Sequence, residues 1–139
     1  MNVNENGTTA IGAPNSAMRF ITTPSDVLLP GTDWNCSTST PWGTAQSAMR
    51  FARGLISYST AGHGGLHVSS GLLARIPEYM RQAAVYGGGV NGWFEEDCES
   101  AIVIVCLPEF FPMTWRENAI GTMQSYYPKQ WERFCQGER

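Results

Sequence analysis

Gln46-Ser47-Ala48-Met49-Arg50-Phe51-Ala52, then Arg53-Gly54, then Leu55-Ile56-Ser57-Tyr58-Ser59-Thr60, is the stretch whose reading decides the fold. Two runs of strand composition flank a two-residue turn whose glycine tolerates positive φ, and that combination predicts a β-hairpin. Downstream, Ala61-Gly62-His63-Gly64-Gly65 breaks the pattern before Leu66-His67-Val68 resumes it. The expected product is a three-stranded antiparallel meander in which Leu55 and Ser57 face one side while Ile56 and Tyr58 face the other.

Beyond Ser69 the period lengthens. Ser69 or Ser70 can cap a short helix through Leu72-Leu73-Ala74-Arg75, and Pro77-Glu78 opens another over Tyr79 to Val85. Gly87-Gly88-Gly89 ends it. Across Trp93 to Cys106 a stack of carboxylates precedes a β-branched run, and the charge at its start favours a helix over 97–106 rather than a buried strand. Pro108 stops that helix, and Glu109-Phe110-Phe111-Pro112 is a turn held to the core by its rings. Thr114-Trp115-Arg116-Glu117 reads as a capping box for a helix over 115–126. Pro128 starts a last helix, whose apolar stripe of Trp131, Phe134 and Cys135 should close over the sheet.

Upstream of the hairpin, residues 1–39 are rich in Asn, Thr, Ser, Gly and Pro and are expected to form an irregular leader, with Val27-Leu28-Leu29 docking on the domain. Thr40-Pro41-Trp42-Gly43 is the turn that starts the domain proper. Ser16-Ala17-Met18-Arg19-Phe20 recurs as Ser47-Ala48-Met49-Arg50-Phe51. The repeat is either a coincidence or local duplication, or a strand mimic able to pair at a sheet edge, within the chain or across a homodimer. The fold class is therefore α+β: 40–139 form one domain in which a small antiparallel sheet of about three or more strands packs against three to four helices.

The chain of 139 residues is 42% hydrophobic, enough for one core and too little for two ordinary domains. Nine basic against twelve acidic residues give a net charge of −3, and no basic cluster exceeds Arg50-Phe51-Ala52-Arg53, so direct nucleic-acid binding is not expected. Met1 to Gly7 lacks the features of a signal peptide, and the longest apolar run, Ala101 to Leu107, is far too short to span a membrane. A cytoplasmic protein is expected. Cys36, Cys98, Cys106 and Cys135 form no C-x-x-C pair and are expected to be reduced and mostly buried.

Two constellations carry candidate chemistry. His63-Gly64-Gly65-Leu66-His67 has the histidine spacing of a zincin helix without its glutamate, and its glycines exclude a helix. What remains is a loop base, His63, beside free glycine amides able to form an anion nest or oxyanion hole, with His67 on a strand nearby. The alternative is a turn whose histidine is held structurally. Glu95-Glu96-Asp97-Cys98-Glu99 places four carboxylates in five residues, as a charged helix start or as hard oxygen ligands. If the two converge, His63 and His67 with Glu95, Glu96 or Asp97 would make a mixed site suited to zinc, manganese or iron. No metal or other cofactor is assigned. No G-x-S-x-G elbow or P-loop occurs, and no cation beside a cysteine activates a thiol.

Thr40 to Gln46, Tyr58 to Ser69 and Gly92-Trp93-Phe94-Glu95-Glu96-Asp97-Cys98, taken in order, resemble a family of domains encoded on bacterial plasmids, phages and integrative elements, whose members occur near or within antirestriction and polyvalent proteins. The resemblance covers about residues 40–135 and carries no catalytic role to any position. It implies a mobile-element accessory protein that counters a host defence, such as CRISPR or restriction, by binding a component of the defence complex. Trp93, Phe94, Glu95, Glu96, Asp97 and Glu99 are then the expected binding residues, aromatic anchors beside acids that meet a basic groove. The competing expectation is a small hydrolase or transferase that relies on His63 and His67.

Overall fold

Gly54 turns the chain at φ +81°, a value that suits glycine, and the flanking runs pair as expected. The computed structural model describes residues 33–139. Within it the hairpin comprises β4 (Ser47–Ala52) and β5 (Leu55–Ser59), with a register shift between Arg50 and Ala52. Before it come β1 (Asp33–Asn35), β2 (Ser39–Thr40) and β3 (Gly43–Thr44); after it come β6 (Gly64–Val68) and β7 (Trp93–Glu95). One antiparallel sheet has the order β1-β4-β5-β6-β7, and β2 with β3 makes a separate hairpin around Pro41-Trp42. The meander is thus the centre of a wider sheet.

The helices are α1 (Ser70–Leu73), α2 (Glu78–Ala83), α3 (Ser100–Cys106), α4 (Met113–Tyr126) and α5 (Pro128–Cys135), which make the described chain an α+β domain. Alternation along the sheet sets its two faces. Met49, Phe51, Leu55, Leu66, Val68 and Phe94 point into the core, where they meet Ile76, Met80, Ile102, Val103, Leu107 and Met123. Phe51 lies 5.3 Å from Phe111 and 5.8 Å from Trp115, ring to ring, joining the central strand to the start of α4. Trp115, Ala119 and Met123, spaced by four, are the stripe that α4 turns inward.

Several expectations change. Asp33–Asn35, expected within the irregular leader, forms a strand that pairs with Ser47 to Met49. The repeated Ser16 to Phe20 and the apolar Val27 to Leu29 lie outside the described residues. The stretch 97–106 is helical only from Ser100, because Trp93–Glu95 is drawn into the sheet by pairing with β6 and residues 96–99 turn the chain. The capping box at Thr114 does not form: Pro112, with φ −62° and ψ 155°, is the N-cap, so Thr114 already lies inside α4. The last helix closes over α4 and α2 rather than over the sheet. Of the cysteines only Cys106 is buried; Cys36 and Cys98 are half-buried and Cys135 is exposed, all four as free thiols. Among the described residues no helix is long and apolar enough to cross a membrane.

Candidate functional site

The glycines expected to open an anion nest are part of a strand. Gly64 and Gly65 pair with Ser59 and Tyr58 on β5, Gly65 also pairs with Glu95 on β7, and the Glu96 amide donates to the Gly64 carbonyl at 3.0 Å. Their backbone is committed to the ladder. A Cβ on Gly65 would run into the Trp42 ring and the Phe94 carbonyl oxygen, so this glycine exists for close packing. Trp42, delivered by the β2–β3 hairpin, lies across the outer face of the sheet at that point.

That outer face holds an aromatic cluster. Trp93 lies 5.7 Å from Trp42 in a T-shaped arrangement, 5.7 Å from Tyr58 and 4.4 Å from the His67 imidazole. His67 therefore has a packing role, and burial lowers its pKa below the usual 6.5. His63 sits apart, exposed on the β5–β6 turn, where its amide donates to the Thr60 hydroxyl and its carbonyl accepts from the same hydroxyl.

The acidic run divides into two parts. Glu95, Glu96 and Asp97 offer oxygens that all lie within 4.8 Å of one another, at the end of β7. The group is oxygen-only: neither histidine joins it, so the mixed nitrogen and oxygen site does not assemble. Glu95 is partly used locally, its carboxylate accepting from the Asp97 amide at 3.0 Å; burial, above all, pushes its pKa up from 4.5. Glu96 does reach the histidine turn, since its carboxylate lies against Gly64, next to His63.

Glu99 belongs to the interior. It is 1% exposed, and its carboxylate accepts from the amides of Tyr86 at 2.6 Å, Gly87 at 2.8 Å and Glu95 at 3.0 Å. Three backbone donors satisfy an anion that an apolar interior would otherwise expel. The result is a clamp that fixes the loop after α2 against the edge of β7. Burial, aided by the nearby Glu99 charge, pushes the Tyr127 phenol up to about 12.

Burial thus removes two of the expected binding residues from the surface: Glu99, and Phe94 at 0% exposure. Trp93 is half-buried among its ring neighbours. In their place the clamped loop presents Val85 and Tyr86, 71% and 79% exposed, with Val90 exposed further along it. Sequence alternation could not reveal these, because the loop has no period. The signal lay in the chemistry of Gly87-Gly88-Gly89, a run of amides that needs acceptors and has no side chains of its own to supply them.

Residues 35–139 match the family described as a domain of unknown function, DUF7007, and the chain belongs to that family. No curated protein matches the chain, and no solved structure does.

Proposed function

We propose that this DUF7007 domain is a protein-binding accessory of a plasmid, phage or integrative element, and that it counters a host defence such as CRISPR or restriction by occupying a component of the defence complex. Its docking surface is the end of β7 with the loop beside it: Glu95, Glu96 and Asp97 as acids, Tyr86 and Val85 as apolar contacts. The observation that carries this reading is the Glu99 clamp, which holds a highly exposed tyrosine in a fixed position bonded to the same carboxylate as the Glu95 amide. Exposed aromatic side chains on a preorganised backbone lose little entropy on docking, and adjacent acids steer them to basic surfaces.

The test is transfer of a plasmid into a host that carries the defence, with and without the protein. The wild type should raise transfer, and the pair Glu96→Lys and Asp97→Lys should abolish that gain while the purified variant keeps its circular dichroism and melting temperature. Full protection by the folded variant would rule the surface out.

A second reading draws on the bond from the Glu96 amide to the Gly64 carbonyl, which brings Glu96, just past β7, beside the residue that follows His63 of the β5–β6 turn. An imidazole and a carboxylate so placed can act as base and orienting acid of a small hydrolase or transferase. Under it, His63→Ala abolishes protection and leaves partner binding intact.

A further inference from the structure

The five-stranded sheet finishes its two edges differently. On β7 the amides of Trp93 and Glu95 point away from β6, and both are bound: Trp93 donates to the Gly88 carbonyl at 3.2 Å and Glu95 to the Glu99 carboxylate at 3.0 Å. On β1 the Cys36 amide donates to the Gln46 carbonyl at 3.2 Å, which continues the ladder with β4 and fixes its phase. Successive residues of a strand turn their amide and carbonyl to opposite edges, so Trp34 and Cys36 address β4 while Asp33 and Asn35 address the far side. Among the described residues no strand lies there. Such an edge offers a row of backbone donors and acceptors to any extended segment within reach.

We propose that Ser16-Ala17-Met18-Arg19-Phe20 of the same chain adds to this edge as a further antiparallel strand, with Met18 opposite Asp33 and Ser16 opposite Asn35. The five side chains are those of Ser47 to Phe51 in β4, the strand on the other side of β1. There Ser47, Ala48 and Met49 pair with Asn35, Trp34 and Asp33 in the same register, Met49 and Phe51 turn into the core, and Ala48 and Arg50 turn outward. The same five residues laid on the opposite edge repeat that alternation, with Met18 and Phe20 on the helix side of the sheet and Ala17 and Arg19 on the outer side. Chain length selects this occupant over a second molecule. Residues 21–30 make the return from Phe20 to Gly31, and a connection this short holds the segment beside its edge at an effective concentration on the order of millimolar. β1 and β7 are opposite edges, so the added strand and the docking surface stand independently.

The test is native-state hydrogen exchange of the full chain, read at individual amides. Asp33 and Asn35 should be protected as Trp34 is, whose amide faces β4. In the proposed register the Met18 amide faces β1 and the Ala17 amide faces away, so proline at the two positions separates strand pairing from a mere change of composition. Met18→Pro should speed exchange at Asp33 and Asn35 by about tenfold or more and leave Trp34 unchanged. Ala17→Pro should leave all three unchanged. Unprotected Asp33 and Asn35 amides in the wild type, or protection that survives Met18→Pro, would overturn the assignment. Protection that grows with protein concentration, together with a doubled mass in sedimentation, would overturn it as well and give the edge to a second copy. If Met18→Pro fails to fold, Ser16→Pro, which removes the donor to the Asn35 carbonyl, decides in its place.

Discussion

The main-chain amide of Tyr86 donates to the Glu99 carboxylate at 2.6 Å, so a side chain that stands in solvent is positioned by one that is sealed inside. The same carboxylate holds Gly87 and Glu95, which ties the exposed loop to β7 through one residue. Glu99→Ala leaves three backbone donors without an acceptor and should cost about 3 kcal/mol or more, read as a lower urea midpoint. Hydrogen exchange at the Tyr86, Gly87 and Glu95 amides should accelerate more than exchange in β4 and β5. Equal protection at those amides in the variant would mean that the clamp does not position the loop.

Stability in acid should carry the mark of His67. Burial lowers its folded pKa below 6.5, so the unfolded chain takes up the proton first and stability declines as the pH falls from 6.5 through the folded value. Glu95 acts in the opposite sense: its pKa is raised above 4.5 by burial, so the folded state holds the proton more firmly and stability rises as the pH falls from that raised value to 4.5. Urea melts of the wild type and His67→Phe across about pH 4 to 8 should show the decline just below 6.5 in the wild type alone.

Gly65 should tolerate no side chain. In Gly65→Ala the new methyl meets the Trp42 ring and the Phe94 carbonyl, and displacing them should cost about 1 to 3 kcal/mol. The near-ultraviolet dichroism of the Trp42 and Trp93 pair should weaken along with the melting temperature, since the two indoles touch edge to face.

The start of α4 offers a gain and a control. Pro112 caps the helix without a side-chain acceptor, and Pro112→Ser supplies one, worth about 0.5 to 1 kcal/mol of added stability. Thr114→Ala should change stability little, because Thr114 lies within the first turn rather than at the cap. A loss of about 1 kcal/mol in Thr114→Ala would restore the capping box that the sequence suggests.

Thiol reactivity should order the cysteines. Cys135 is exposed and should react with an aromatic disulfide reagent in the native state, whereas Cys106 is buried with its thiol pushed up to about 12 and should react only on unfolding.

The parts of the fold that could be read in advance are those with a local physical cause. Arg53-Gly54 between two strand runs, Gly87-Gly88-Gly89 after α2 and Pro128 at the head of α5 each impose a backbone event on their own neighbours. The misreadings arose where a distant partner overrode a local preference. Trp93 to Glu95 looks like the approach to a helix and becomes a strand because β6 offers it an edge. Gly64-Gly65 looks like a loop and becomes a strand because Trp42, more than twenty residues earlier, needs a surface without side chains. Glu99 looks like one more surface acid, and only the loop that folds back onto it makes it an interior anchor. Trp93 and the trio of Glu95, Glu96 and Asp97 remain at the surface, wholly or in part; Phe94 and Glu99 do not.

The measurement that bears most directly on the proposed docking surface is a titration of the purified defence complex, identified from the host assay, with the wild-type protein and with Tyr86→Ala combined with Glu96→Lys. Binding through this surface predicts an inhibition that ends at an equimolar amount, does not deepen with time, weakens as salt is raised, and is lost in the folded variant. Complete inhibition by a small fraction of an equivalent, growing with time and unaffected by the variant, would contradict it.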